Sequence, residues 1–102
     1  MHPSITHKKD AIAQLCQVHH VARLEVFGSA ASTGFDPVSS DIDMLVEFLP
    51  LREGQHAEAY FGLLKDLETL FDRPVDLVMT QAIRNRYFLQ SVNDSRKMLY
   101  AA

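Results

Sequence analysis

A single cysteine, Cys16, in a chain of 102 residues rules out an internal disulfide. Because it lies in a stretch with helical spacing, it reads as a small buried apolar side chain. Positive charge is in short supply as well. Ten Lys and Arg stand against thirteen Asp and Glu, giving a net charge of -3. That balance offers polyanions no general attraction, so a role built on wrapping or sequence-specific reading of nucleic acid is disfavoured, and any anionic ligand must be held locally. No segment approaches the ~20 apolar residues of a membrane span, and the N-terminal "MHPSITHKKD" has no apolar signal core, which points to the cytoplasm and away from membranes. The histidines and the lone cysteine keep no recognisable ligand spacing, so a transition-metal centre has no support. Repeats, linkers and low-complexity tracts are missing too. What is left, 47% hydrophobic and 23% charged, has the size and composition of one globular domain spanning residues 1–102.

The periodicities predict alternating helices and strands. Ser4 to His20 carries Ile5, Ile12, Leu15, Cys16 and Val18 at mostly helical spacing, with His19 and His20 as solvated residues near the end of that helix. "VARLEVFG" sets Ala22, Leu24 and Val26 against Arg23, Glu25 and Phe27, a strand that Gly28 stops. Residues 29–40 are small and polar and form a loop or a short helical turn. "DIDMLVEFL" is a second strand with Asp41, Asp43, Leu45 and Glu47 on one face and Ile42, Met44, Val46 and Phe48 on the other. The apolar stripe from Tyr60 to Phe71 is a helix within 56–71, and Val75 to Met79 is a third strand. A short turn from Gln81, a helix from about Asn85 to Asp94 and a last extended segment complete the chain. The predicted fold is α/β (α+β), a small mixed sheet flanked by helices.

This order says where the acids lie. A helix of about four turns between the second and third strands fits the crossover of a parallel pair, so Asp41, Asp43 and Asp76 all stand at strand starts at one end of the sheet. If the first strand runs antiparallel to the second, Gly28 and Ser29 arrive at the same place. Carboxylates gathered this way raise one another's pKa unless hard cations lie between them. Magnesium suits such a set, because it prefers oxygen ligands and is commonly shared between carboxylates and substrate phosphates. The Asp-x-Asp alternation puts two donors on one strand face, ~6.6 to 6.8 Å apart at Cα, within reach of one or two ions. Gly28 lets the backbone approach a ligand closely, and the Ser29 hydroxyl and following amides can donate to phosphate oxygens.

"FGSAASTGFDPVSSDIDMLVEF" followed by "RPVDLV" resembles the minimal nucleotidyltransferases of the DNA polymerase beta-like superfamily, whose signature is Gly-Ser, about ten residues, then Asp-x-Asp, with a third acid on a later strand. The tail "IRNRYFLQSVNDSRKMLYAA" is similar to that group's usual ending. The resemblance implies Asp41 and Asp43 as ligands of two Mg2+ ions. Asp76 would be a third ligand that also helps deprotonate the attacking hydroxyl, and Gly28 and Ser29, with Ser40, would hold the nucleotide. It implies in-line attack of an acceptor hydroxyl on the α-phosphorus of a nucleoside triphosphate, by family habit ATP, with pyrophosphate leaving. A chain this small has little left to build an acceptor pocket, and the family likeness supplies a partner: a helical HEPN-type toxin whose tyrosine hydroxyl receives AMP, the present chain acting as antitoxin.

Two departures separate this sequence from the pattern. Ser32 stands where the family often has an arginine, and the spacer from Ala30 to Ser40 is eleven residues long with an extra acid at Asp36. A phosphate-binding guanidinium is thus missing from its expected place, with Arg84, Arg86, Arg96 and Lys97 as candidate substitutes or as ordinary solvated cations. The alternative is a binding module that keeps the fold and neutralises a partner protein by surface contact.

Overall fold

The computed structural model describes residues 3–31 and 41–102, with Ser29 and Ala30 by backbone alone. The chain runs α1 (Pro3–Thr6), α2 (Lys9–Val18), β1 (Val21–Phe27), a 3-10 turn (Gly28–Ala31), β2 (Ile42–Phe48), α3 (Gln55–Phe71), β3 (Val75–Met79), a second 3-10 turn (Thr80–Ala82), α4 (Arg86–Ser95) and β4 (Lys97–Ala101). The sheet order is β3-β2-β1-β4. β2 and β3 are parallel, while β1 runs antiparallel to both β2 and β4. The mixed sheet, the parallel pair and the final extended segment therefore match the sequence reading.

One sheet face carries the larger core. Leu24, Val26, Ile42, Met44, Val46, Val75 and Leu77 pack with Ile5, Ile12 and Cys16 of the first two helices and Leu63, Leu67 and Phe71 of α3. Cys16 is fully buried, and burial pushes its thiol up to about 12, so it behaves as the small apolar residue its spacing suggested. The Tyr60 hydroxyl ties α3 to the sheet by donating to the Leu77 carbonyl. On the opposite face Phe27, Leu45 and Val92 form a smaller cluster with Val78 and Ile83, beneath α4. Asn85 caps that helix by accepting from the amides of Tyr87 and Phe88.

Two local expectations are corrected. The predicted single helix from Ser4 to His20 is two helices separated at His7 and Lys8, where the Lys8 ammonium donates to the Leu70 carbonyl across the core, 2.7 Å away. His19 is not merely a solvated end residue. It meets the Asp66 carboxylate of α3 at 2.6 Å and its side chain is largely covered, so it joins α2 to α3. Among the described residues no helix is long and apolar enough to cross a membrane.

Candidate active site

Strand register builds the site. In the parallel pair Asp43 is opposite Asp76, and in the antiparallel pair Asp43 is opposite Phe27, the last residue before the Gly28 turn. With neighbouring strands ~4.8 Å apart, Asp43 is the central member, flanked by a second acid on one side and an aromatic ring on the other. Asp41 lies just before β2. Asp41 and Asp76 are exposed, while Asp43 is half-buried. Burial, then the charge of Asp76, then that of Asp41 raise the Asp43 carboxyl above its usual range. The charges of Asp41 and Asp76 thus both reach Asp43. Among the described residues, however, no group of three His, Cys, Asp or Glu side chains is already gathered closely enough to enclose an ion.

The Gly28 turn lies against this carboxylate. Gly28 has φ +67, which favours glycine, and a Cβ placed on it would come within 2.8 Å of Asp43 Oδ2 and displace that carboxylate. Its amide is not free to meet a phosphate, because it donates to the Ser95 hydroxyl at 2.9 Å. At this turn the amides left to meet a ligand are therefore those after Gly28. The Ser29 side chain, Ser32, Asp36 and Ser40 lie outside the described residues.

Of the candidate cations, Arg96 is otherwise engaged. Its Nε and Nη2 donate to the two oxygens of Glu25 at 2.5 and 2.7 Å, and Nη1 donates to Asn93 at 2.7 Å. Arg96 is therefore neither a spare phosphate ligand nor a solvated cation. Arg84, Arg86 and Lys97 are exposed, and Arg86 lies over the Tyr87 ring. Glu25, only 4% exposed, is the one buried charged residue among those described, and its hydrogen bonds with Arg96 hold its carboxyl below the usual range. Sequence reasoning set Glu25 on the polar face of β1 and missed this pairing. The available signal was the apolar content of that same face: Phe27 and Leu45 need a cover, and α4 provides it.

The donor set fits a hard divalent cation by its chemistry. All three candidate ligands are carboxylates, their charges meet at Asp43, and the adjoining glycine keeps side-chain bulk out of the space beside Asp43 Oδ2.

Comparisons with known proteins give the family and the fold. The family model described as a nucleotidyltransferase domain matches residues 8–99. A solved structure provisionally described as a minimal nucleotidyltransferase is 30% identical, with a TM-score of 0.71 over 90% of this chain and 89% of that one. A toxin-antitoxin structure with AMP-PNP is 24% identical, with a TM-score of 0.66 over 92% of this chain and 73% of that one. A complex of tri-AMPylated Shewanella oneidensis HEPN toxin with MNT antitoxin is 21% identical, with a TM-score of 0.64 over 96% and 73%. At those lower identities the likeness is one of fold. No curated protein matches the chain. With its family match running from α2 through β4 and its acids in register across the parallel pair, this chain belongs to the nucleotidyltransferase domain family.

Proposed function

We propose that the protein is a magnesium-dependent nucleotidyltransferase that moves AMP from ATP to a hydroxyl of a protein partner, a tyrosine of a HEPN-type toxin, and so acts as its antitoxin in the cytoplasm. Residues 1–102 would serve as one transferase domain. The observation that carries this reading is Asp43, in register with Asp76, electrostatically coupled to Asp41 and pressed against the backbone of Gly28. The partner rests on the neighbours, which include an AMP-PNP-bound toxin-antitoxin structure and an AMPylated HEPN toxin in complex with MNT antitoxin.

In this reading Asp41, Asp43 and Asp76 would hold the magnesium ions, which when bound neutralise charge on the phosphates and make the acceptor hydroxyl more acidic. The chain's own residues do the positioning. The turn after Gly28 brings backbone amides toward the phosphates, and Asp76, exposed at the β3 end, takes up the proton of the acceptor hydroxyl at its carboxylate. The acceptor oxygen bonds to the α-phosphorus as the bond to the pyrophosphate oxygen breaks, and pyrophosphate leaves.

One observation favours the alternative of a binding module. Ser32 replaces the family's arginine, and Arg96, a candidate substitute, is spent on Glu25. The deciding experiment incubates the chain and a HEPN-type partner with magnesium and ATP labelled at the α-phosphate. Label on a partner tyrosine, absent with Asp43→Asn, supports transfer. Neutralisation of the partner with no label on it sinks the transferase reading and leaves the binding module.

A further inference from the structure

Two bonds join neighbouring residues at the end of α4 to the last residues of β1 and the turn beyond. Arg96 grips the buried Glu25 through both carboxylate oxygens, and Ser95 accepts the Gly28 amide at 2.9 Å. The Ser91 carbonyl within α4, 3.4 Å from the Ser95 hydroxyl, offers its proton a long acceptor and leaves a lone pair for Gly28. Asn93 steadies the guanidinium from inside the same helix. Gly28 in turn leaves no room for a Cβ beside Asp43 Oδ2. A short chain of contacts therefore runs from α4 through Ser95 and Gly28 to the central carboxylate. None of these α4 groups is among the acids or the Gly-Ser pair to which the transferase reading gives the chemistry.

We infer that Ser95 is a positioning residue: by fixing the Gly28 amide it sets the Gly28–Ser29 turn against Asp43, so that the amides beyond Gly28 are presented to the phosphates of a nucleoside triphosphate. What the turn binds rests on the transferase reading; that Ser95 holds the turn does not. Glycine has the widest choice of backbone conformations of any residue, so a partner that holds its amide narrows the arrangements open to the turn. The Arg96–Glu25 pair fixes the end of α4, which makes the Ser95 hydroxyl a stationary acceptor.

The test compares the full-length chain with Ser95→Ala and Ser95→Thr, the second retaining the hydroxyl. Amide hydrogen exchange at Gly28 should quicken by about tenfold in Ser95→Ala, with the amides of Leu24 and Val46 unchanged, and return toward the wild-type rate in Ser95→Thr. The apparent KM for magnesium-ATP in AMP transfer should rise about three- to tenfold in Ser95→Ala with kcat little altered, as for a contact made equally in ground and transition states, and recover in Ser95→Thr. Unchanged Gly28 exchange in a folded Ser95→Ala overturns the positioning role. Faster exchange with an unchanged KM makes Ser95 merely structural and overturns it as well. If the wild-type chain neither binds nor turns over magnesium-ATP, the transferase reading fails and the turn loses its assigned ligand, while Gly28 exchange still decides whether Ser95 holds it.

Discussion

Asp43 has two acids and partial burial acting against its charge, and this makes its effect on stability opposite to that of most paired carboxylates. Its folded-state pKa lies above the ordinary carboxylate value, so between those two values the folded chain holds more protons than the unfolded one. Stability therefore falls as pH rises through that window. Asp43→Asn removes the charge and nearly keeps the shape. Without metal it should raise Tm by roughly 2 to 4 °C at neutral pH, with the gain fading near pH ~3, as followed by circular dichroism. A lower Tm at neutral pH would show that the carboxylate is held by favourable partners. Glu25 has the reverse sign. Arg96 depresses its pKa, so its contribution is present above the unfolded value and is lost as pH falls through the folded one. Removing only the guanidinium leaves a nearly enclosed carboxylate without its hydrogen bonds, with the half-exposed Arg23, 3.9 Å away, as its remaining cation. Arg96→Leu should cost about 3 kcal/mol in urea denaturation, and adding Glu25→Met should recover most of it. A loss below about 1 kcal/mol would mean that water reaches Glu25 readily once Arg96 is gone.

At the scale of elements, the contact between α2 and α3 depends on a glycine. A Cβ on Gly62 would lie 2.8 Å from His19 Cε1, while the same imidazole holds Asp66. Alanine at this helical position gains about 1 kcal/mol of propensity, yet it must push the ring off its partner. Gly62→Ala should therefore be neutral to destabilising by about 1 kcal/mol in the native background and stabilising by about 1 kcal/mol once His19 is alanine, a sign change readable in a double-mutant cycle. The same gain in both backgrounds would mean that the ring shifts without cost. This contact was not legible in the sequence, where His19 follows the last residue of α2 and nothing local names a partner 47 residues away. The elements themselves were legible because each has one dominant period: alternating residues in β2 and a Tyr60-to-Phe71 stripe in α3. The break between α1 and α2 was hidden because the apolar spacing runs on through it, and the contact made there, Lys8 reaching Leu70, is tertiary. Glu25 was hidden for a related reason. Alternation assigns a residue to a sheet face, but whether that face meets water depends on what packs over it, here α4. The acids were legible since strand period and chain order alone bring Asp41, Asp43 and Asp76 to one sheet end. Their closeness to Gly28 needed the register.

Across the whole molecule, the site has a charge problem that the fold does not solve alone. The chain carries a net charge of -3, and three of its acids are concentrated at one end of a four-stranded sheet. Under the proposed function a nucleoside triphosphate would bring still more negative charge to that end, and of the four candidate cations Arg84, Arg86 and Lys97 are exposed, with no arginine at position 32. Nucleotide alone should therefore bind poorly, because it adds anions to carboxylates, and magnesium alone should bind weakly, because open carboxylates leave much of its coordination to water. Each ligand supplies what the other lacks. A ligand that binds only the folded state at about one hundred times its Kd contributes about 2.7 kcal/mol, which in a chain of this size amounts to a Tm rise of ~10 °C or more. The expected pattern in a thermal scan is a small change with magnesium, none with ATP and EDTA, and the full rise with both. Asp43→Asn should lose the combined response while keeping its higher metal-free Tm. Equal shifts with ATP in the presence and absence of magnesium would place the nucleotide on the arginines instead of the acids. No shift under any combination, together with a rise on adding a HEPN-type partner, would favour a chain that neutralises by contact.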